Sequence, residues 1–192
     1  MKNIFTTIIG GKYRGKKIAL LSNDSTRSTK SIVKESYFNT VQFEIVDMPF
    51  FEVFAGSGSI GLEAVSRGAS KAYFIEIDFK AYKVLNANCE AIDASACITY
   101  KGDSFNIYPD VIKKFSHDNS RAFIYLDPPF DIRENMNDIY DKTIKLIENT
   151  PKEVVELIAI EHISDKSFPE VLGEFRLKKV KKFGKTTLSY YE

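Results

Sequence analysis

The stretch PFFEVFAGSGSIGLEAVSRG, residues 49–68, decides the fold. An apolar run that ends at Ala55 meets a glycine-rich turn, and residues 59–68 then have apolar side chains at helical spacing. Gly56, Gly58 and Gly61 have the spacing Gly-x-Gly-x-x-Gly, which lets backbone approach a ligand and lets the helix pack closely on the strand. The free N–H groups at the start of the helix favour a polar or anionic ligand group. The stretch therefore predicts a strand, a ligand-binding turn and a helix.

A second apolar run, AYFIEID at residues 72–78, ends in carboxylates. Glu76 follows the first glycine by about 20 residues, the position that binds ribose hydroxyls in nucleotide-binding α/β folds. Glycines alone are also typical of a tight turn without any ligand. Together with the strand before them and the acid after them, they favour a nucleotide or nucleoside site.

Apolar strand-like runs alternate with helical stretches through most of the chain. The predicted strands are 50–55, 72–77, 96–100, 121–127 and 155–162, and the predicted helices are 59–68, 79–92, 104–115 and 135–149. Such alternation predicts a mostly parallel sheet with helices on both faces. The glycine turn, Glu76, Asp103 and Asp127 then all fall at the carboxyl ends of strands, where ligands bind in such folds.

The two ends of the chain have a different character. Residues 4–9 and 18–21 predict a β-hairpin with a basic tip, followed by a helix from Thr29 to about Val41. Residues 175–183 and 186–191 predict an antiparallel hairpin that turns at Gly184-Lys185. The polar residues 22–28 are the one candidate break in the chain. Counting the helix that follows them with the N-terminal hairpin, we divide the chain into a small extension, residues 1–42, and the main domain, residues 43–192.

Composition excludes several classes of protein. The chain has 192 residues, 44% of them hydrophobic and 28% charged, which is typical of a globular domain without a membrane span. We expect no signal peptide, because lysines interrupt the short apolar start. Cys89 and Cys97 are expected to be reduced thiols in a cytoplasmic protein. With only His117 and His162 besides, we expect no metal site.

Charge is separated along the chain. Residues 1–40 carry 8 basic and 2 acidic side chains, residues 41–170 carry 13 and 22, and residues 171–192 carry 6 and 2. Basic ends favour a polyanionic partner, although solvated lysines would give the same composition. Tyr13 lies among the basic residues of the first hairpin, which adds a stacking face to possible phosphate contacts.

The fourth predicted strand ends in Asp127-Pro128-Pro129-Phe130. Two consecutive prolines donate no backbone hydrogen bond and hold their carbonyls in a rigid, extended loop. Asp127 and the Pro128 carbonyl can each accept one N–H of an exocyclic amine, while Phe130 stacks on the ring that carries it. A strand that simply ends at prolines is the alternative.

Glu52-Val53-Phe54-Ala55-Gly56-Ser57-Gly58 followed by Asp127-Pro128-Pro129-Phe130 resembles the amino-group subset of S-adenosylmethionine-dependent methyltransferases. Together with residues 11–17, Thr26-Arg27, Val33-Lys34-Glu35, Phe38-Asn39 and the final Gly184-Lys185-Thr186, the chain resembles the RsmD family, bacterial methyltransferases of guanine N2 in 16S ribosomal RNA. The resemblance implies a Rossmann-like class I methyltransferase fold that acts on 16S rRNA or on an assembling small subunit. We expect a monomer, although the sequence itself does not determine the oligomeric state.

The resemblance also implies roles for individual residues. The cofactor S-adenosylmethionine would be bound by Glu52, Phe54, Ala55, Gly56, Ser57, Gly58, Gly61, Glu76, Ile77, Asp103 and Ser104. The acceptor base would meet Asp127, Pro128, Pro129 and Phe130. We assign RNA binding to the two basic ends, Lys12, Tyr13, Arg14, Lys16, Lys17 and Arg27 at one and Lys178, Lys179, Lys181 and Lys182 at the other. We expect the fold to bring both ends to the rim beside Asp127, at the carboxyl edge of the sheet.

Three departures from the family pattern stand out. Glu52 stands where the family usually has Asp, Ser28 where it has Pro, and Ser31-Ile32 where it has an Asp-Arg pair. The last change removes charges near the expected RNA side.

Four other functions are compatible with parts of the pattern. A DNA adenine-N6 or a protein-glutamine methyltransferase would use the same proline motif, although we see no target-recognition domain for DNA. An NAD-dependent oxidoreductase would use the glycines and Glu76. An RNA-binding assembly factor would keep a nucleoside pocket without catalysis.

Overall fold

The computed structural model describes residues 4–21, 27–116, 120–129 and 138–192, and for residues 27–29 it describes the backbone alone. Ten strands and five α-helices follow one another within these ranges. The strands are β1 (Ile4–Thr7), β2 (Lys17–Leu20), β3 (Phe50–Glu52), β4 (Ala72–Glu76), β5 (Cys97–Lys101), β6 (Ala122–Leu126), β7 (Val155–Ile163), β8 (Val171–Leu172), β9 (Phe175–Phe183) and β10 (Thr186–Tyr191). The helices are α1 (Arg27–Thr40), α2 (Ser59–Ser66), α3 (Phe79–Ile92), α4 (Ser104–Phe115) and α5 (Ile139–Glu148).

Eight strands form one sheet in the order β5-β4-β3-β6-β7-β10-β9-β8. The first five are parallel, and β10, β9 and β8 continue the sheet antiparallel. The mostly parallel sheet and the C-terminal hairpin predicted from the sequence are thus confirmed. The two-residue strand β8 was not predicted, and residues 135–137 of the predicted helix 135–149 lie outside the described residues.

Helices cover both faces of the sheet, as predicted. On one face, α4 and α5 pack on a core that includes Phe51, Ile124 and Ile158. On the other face, α1 and α2 pack on Phe50, Tyr125 and neighbouring side chains, and α3 extends this layer over β4. Because both faces of the sheet are covered, every residue of β6 is buried, and α1 covers part of the second face.

The N-terminal hairpin is attached to α2 by a buried carboxylate, Glu63. Its two oxygens accept hydrogen bonds from the backbone N–H groups of Ile9 and Gly10, both at 2.8 Å. Arg67 Nε also donates to Glu63, at 2.8 Å, and Lys34 Nζ of α1 lies 3.6 Å from it. A carboxylate with this many donors can remain buried, and it holds the hairpin, α1 and α2 together.

The hairpin tip approaches the end of α2 so closely that a side chain would not fit. Lys12 N–H donates to the Ser66 carbonyl at 2.7 Å. A β-carbon on Gly11, which has a φ of +76°, would lie 1.8 Å from that carbonyl oxygen. On the other side of the hairpin, the amide of Asn88 in α3 bonds both backbone groups of Ala19. The boundary at residue 42 stays a prediction, but the extension is packed tightly on the rest of the chain.

Candidate active site

The carboxyl ends of four neighbouring strands line the candidate active site. Because β3 pairs with both β4 and β6, the glycine turn after β3 and the segment 127–129 after β6 leave the sheet side by side. Glu76 ends β4, and Asp103 follows β5 in the next position of the sheet. Adjacent strands are about 4.8 Å apart, so the groups predicted to act together do lie along one edge.

The three glycines of the turn have different roles. A β-carbon on Gly58 would lie 2.5 Å from Leu85, and one on Gly61 would lie 2.3 Å from the ring of Phe74. Gly56 has a φ of +54°, yet no atom lies within 4 Å of where its β-carbon would be. Gly58 and Gly61 are therefore required by packing, while Gly56 combines a left-handed backbone with open space in which a ligand can approach.

Glu52 lies beneath the turn and caps the start of α2. Its carboxylate is buried and accepts the N–H groups of Gly61 at 2.8 Å and Ile60 at 3.3 Å. Burial raises the pKa of Glu52 to about 8, although the hydrogen bonds from Gly61 and Ile60 oppose this rise. A positive group entering the turn would favour the ionised form. The longer side chain at this position thus still reaches the helix start.

The raised pKa of Glu52 predicts how stability changes with pH. In the unfolded chain this carboxyl ionises near pH 4.5, so between about pH 4.5 and 8 the folded protein binds more protons and its stability falls as pH rises. The ligand-free protein should lose a few kcal/mol of unfolding free energy across this range. Urea unfolding at several pH values should show a flatter slope for Glu52→Gln. Identical slopes in the two proteins would contradict the assignment.

Glu76 is held in place by backbone donors on both oxygens. Gly56 N–H donates to Oε2 and Asp78 N–H donates to Oε1, both at 2.6 Å. Each carboxylate oxygen can accept a further hydrogen bond, so two hydroxyls of a ribose would find acceptors here. Ile77, the next residue, is 64% exposed and offers a flat apolar surface.

The β5 side of the edge is built by Asp103 and Ser104 at the start of α4. Asp103 Oδ1 accepts the N–H of Phe105 at 3.0 Å, and Oδ2 accepts from the Asn106 amide at 3.3 Å. The hydroxyl of Ser104 is buried and donates to the Val53 carbonyl at 2.5 Å. Asp103 keeps acceptor capacity toward the cleft, whereas the proton of Ser104 is committed to the structure. Their cofactor roles stay predictions.

Asp127 faces α1. Its carboxylate Oδ2 lies 3.5 Å from Lys30 Nζ, and its side chain is 26% exposed. Pro128 is buried and Pro129 is half-buried. Phe130, the predicted stacking ring, lies outside the described residues. The structure thus places the acid and the proline carbonyls beside the glycine turn and adds a cation from α1.

Sequence reasoning missed two buried residues behind Asp127. Tyr125 donates its hydroxyl proton to Glu161 Oε2 at 2.7 Å, and both side chains are buried. Tyr125 lies within an apolar strand, and Glu161 precedes the unremarkable sequence His162-Ile163. The signal available was an acidic residue near the end of a central strand, since burial of such a group requires a partner.

A cavity of about 120 Å³ separates the N-terminal extension from the glycine turn. It is lined by residues of the hairpin, of α1 and of the turn, namely Thr6, Leu20, Lys30, Ser31, Lys34, Ala55, Gly56, Ser57 and Ser59. The extension therefore forms one wall of the cleft. Asn88 reinforces this arrangement, because its amide bonds Ser57 as well as β2.

Residues 6–192 match a family described as Conserved hypothetical protein 95, which is the RsmD family. The chain belongs to the RsmD family.

Two curated relatives and one solved structure illustrate how far the similarity extends. Ribosomal RNA small subunit methyltransferase D of Escherichia coli K12 is 30% identical over 186 residues, which cover 96% of this chain and 88% of the relative. The putative rRNA methyltransferase YlbH of Bacillus subtilis is 27% identical over 194 residues, which cover 96% and 97%. The structure of the putative methyltransferase yhhF from Escherichia coli has a TM-score of 0.75 at 27% identity, over 97% of each chain. The predicted Rossmann-like class I methyltransferase fold is confirmed.

In this RsmD family member, the basic tip of the first hairpin lies away from the rim. Tyr13 bonds Asp93 at 2.7 Å, near the end of α3, and the tip also contacts Ser66 at the end of α2. Because α2 rises about 1.5 Å per residue from Ser59 to Ser66, its C-terminal end lies about 11 Å from the glycine turn. The expectation that the tip shares the rim with Asp127 is therefore corrected, because Glu63 and Ser66 hold the hairpin along the side of α2.

Within that tip, lysines already surround the predicted stacking ring. The ammonium groups of Lys12 and Lys16 lie 4.9 and 4.7 Å from the centroid of Tyr13. Lys17 lies over the ring of Phe5, Arg14 is exposed, and the side chain of Arg27 lies outside the described residues. RNA binding by these residues stays a prediction.

The four lysines of β9 do not share one surface. Lys179 and Lys181 pair with Tyr190 and Leu188, whose side chains face α1, and Lys181 bonds Ser36 and Thr40. Lys182, opposite Thr187, points to the other face near the carboxyl edge. Lys178 forms an ion pair with Glu192 toward the opposite edge. Their RNA-binding role stays a prediction, and Lys182 has the position nearest the rim.

Neither a membrane span nor a metal centre is found in the described part of the chain. No helix there is long and apolar enough to cross a bilayer. The same residues contain no group of three or more His, Cys, Asp or Glu side chains that could hold a metal ion.

Proposed function

We propose that this protein transfers a methyl group from S-adenosylmethionine to the exocyclic N2 amine of a guanine in small-subunit 16S rRNA. The observation that carries the proposal is the pairing of β3 with β6, which brings the glycine turn and Asp127-Pro128 to adjacent strand ends. Membership of the RsmD family and the names of its relatives support rRNA as the substrate.

The residues present fit S-adenosylmethionine. The open space at Gly56 suits a contact between the cofactor and the main chain. The spare acceptor capacity of Glu76 suits the ribose, and the exposed surface of Ile77 suits the adenine. When bound, this cofactor supplies a methyl group on a positively charged sulfur. The carboxylates of Glu52 and Asp127 lower the cost of a positive charge in the cleft.

Asp127 and the Pro128 carbonyl would act on the acceptor amine. Guanine N2 is a weak nucleophile because its lone pair is delocalised into the ring. Hydrogen bonds from its two N–H groups to Asp127 and the Pro128 carbonyl would draw the nitrogen toward a tetrahedral shape and aim its lone pair at the methyl group. Positioning and electrostatics would therefore supply most of the rate acceleration. Asp127 or water then takes the proton that the methylated nitrogen releases.

Binding of rRNA should depend on salt and on Lys182. Each phosphate contact contributes about 0.7 to 0.9 to the slope of log K against log salt. We expect Lys182→Ala to lower that slope by about one contact, and Lys178→Ala to lower it less because Lys178 lies at the other edge, beside Glu192. Filter binding of 16S rRNA between 50 and 200 mM salt, about the range where such slopes are measured, tests this. A flat salt dependence of the unaltered protein would remove the RNA surface altogether.

A methyl-transfer assay tests the proposed function directly. Small subunits and 16S rRNA from cells that lack this protein are incubated with it and tritiated S-adenosylmethionine, and the rRNA is digested to nucleosides. The expected product is N2-methylguanosine. No label in rRNA, but label in DNA or in protein in parallel reactions, would instead support the DNA adenine-N6 or the protein-glutamine methyltransferase. Calorimetry with S-adenosylmethionine and with NAD separates the oxidoreductase alternative, which predicts heat with NAD alone.

A further inference from the structure

The buried side chains of Tyr125 and Glu161 lie behind Asp127. β6 and β7 run parallel with Leu126 opposite Ile160, so Asp127 and Glu161 are the next neighbours toward the carboxyl edge. Tyr125 and Asp127, two residues apart, lie toward the same face of the sheet. The hydrogen bond of 2.7 Å from Tyr125 fixes one oxygen of Glu161. A carboxyl group is therefore held beside the predicted catalytic carboxylate.

The groups around Glu161 come from every neighbouring element. β6 contributes Asp127 and Tyr125, and α1 contributes Lys30. From β10, the residue opposite Glu161 is the apolar Leu188, beyond which lies Lys181 of β9, bound to Ser36 and Thr40. Burial first, and then the charge of Asp127, raise the pKa of Glu161 to about 8, while Tyr125 and Lys30 act in the opposite direction.

The two neighbouring carboxyl groups, Asp127 and Glu161, lie in unequal environments. Asp127 has the ammonium of Lys30 at 3.5 Å and is partly exposed, whereas Glu161 is enclosed and only 4% exposed. Unequal environments of this kind shift the pKa values of neighbouring carboxyl groups apart. A second negative charge on Glu161 would repel Asp127 and compete for Lys30.

We propose that Glu161 is a positioning residue for methyl transfer: its uncharged carboxyl, held by Tyr125, keeps Asp127 aimed at the acceptor amine, and its ionisation disturbs that aim. The inference rests on the proposed function and assigns a role to a residue outside the glycine and proline motifs. Glu161 itself touches neither methyl donor nor acceptor.

Glu161→Gln is the decisive variant, because glutamine keeps the size and the acceptor for Tyr125 but cannot ionise. At pH 7 its kcat/KM for rRNA should stay within about threefold of the unaltered enzyme. Above pH 8 the unaltered enzyme should lose activity with a limiting slope of about tenfold per pH unit, while Glu161→Gln stays level. Tyr125→Phe should move the alkaline midpoint to higher pH, since the lost hydrogen bond favours the ionised carboxyl.

A readout without substrate checks the same charge state. The pKa of Glu161 lies above its unfolded value, so its proton stabilises the fold at acid pH and that stabilisation is lost between about pH 4.5 and 8. Urea unfolding of Glu161→Gln should therefore vary less with pH than that of the unaltered protein.

Any of three results for a folded Glu161→Gln would overturn the inference. The first is a loss of activity of about 100-fold or more at pH 7, which would mark Glu161 as an ionised base. The second is a fall in activity above pH 8 identical to that of the unaltered enzyme, and the third is a pH dependence of unfolding identical to that of the unaltered protein. An unaltered enzyme that methylates no rRNA would instead refute the proposed function, and with it this inference.

Discussion

Asp127→Ala should reduce kcat for methyl transfer by about a thousandfold while leaving the binding of S-adenosylmethionine and of rRNA nearly unchanged. The variant loses the acceptor for one N–H of the amine, the negative charge beside the developing positive nitrogen, and the nearest proton acceptor. Each of these effects is worth about 10²- to 10³-fold in comparable sites, and they overlap because one group supplies all three. Single-turnover transfer of tritiated methyl measures the step, and titration calorimetry measures cofactor affinity.

Two further variants sharpen this result. Asp127→Asn keeps the shape and one acceptor oxygen but no charge, so its kcat should lie between those of Asp127→Ala and the unaltered enzyme. Asp110→Asn, on an exposed position of α4, is the control and should behave like the unaltered enzyme. If a folded Asp127→Ala retained activity within about threefold, Asp127 would have no part in the chemistry.

Gly11→Ala should be among the most destabilising single substitutions in the chain. Its β-carbon would lie 1.8 Å from the Ser66 carbonyl oxygen and 2.8 Å from the Arg67 nitrogen, both backbone atoms that cannot move aside. The hairpin would have to lift from α2, which breaks the bond from Lys12 to Ser66 and weakens those to Glu63. We expect the partial exposure of Glu63 and the loss of its hydrogen-bond donors to lower the free energy of unfolding by about 3 to 5 kcal/mol.

Gly15→Ala is a matched control for this prediction. Gly15 has a φ of +85°, close to that of Gly11, but no atom lies within 4 Å of its β-carbon position. It should cost only the about 1 to 2 kcal/mol of the left-handed backbone. Urea unfolding gives both losses, and hydrogen exchange at the amides of Ile9 and Gly10 reports whether the hairpin has lifted. Equal losses at the two glycines would mean that the contact with Ser66 does not hold the hairpin.

Local patterns were sufficient to predict the sheet and the edge that carries the site. The alternation of apolar runs with helical stretches gave the parallel strands, and the glycine spacing gave the turn at Gly56, because both signals come from residues close together in sequence. The first strand is shorter than expected and ends at Glu52, yet backbone bonds from Val53 to Tyr125 and from Ala55 to Ile75 continue its line.

Long-range polar contacts could not be predicted in the same way. Glu63 meets Ile9 across 54 positions, and Glu161 meets Tyr125 across 36. Each looks like an ordinary surface carboxylate until the fold supplies its donors, so no local pattern distinguishes it. The opposite facing of Lys181 and Lys182 was available from strand periodicity, whereas the position of the hairpin tip depends on Glu63 and Ser66.

The order of strands in the sheet has a consequence for folding. β9 precedes β10 in the chain but touches β7 only through it, since β10 lies between them. Until residues 186–191 have folded onto the sheet, the chain therefore presents β7 as an unpaired edge with a largely apolar sequence. Such an edge favours pairing with other chains, so we expect the chain to be most prone to aggregation before β10 has paired with β7.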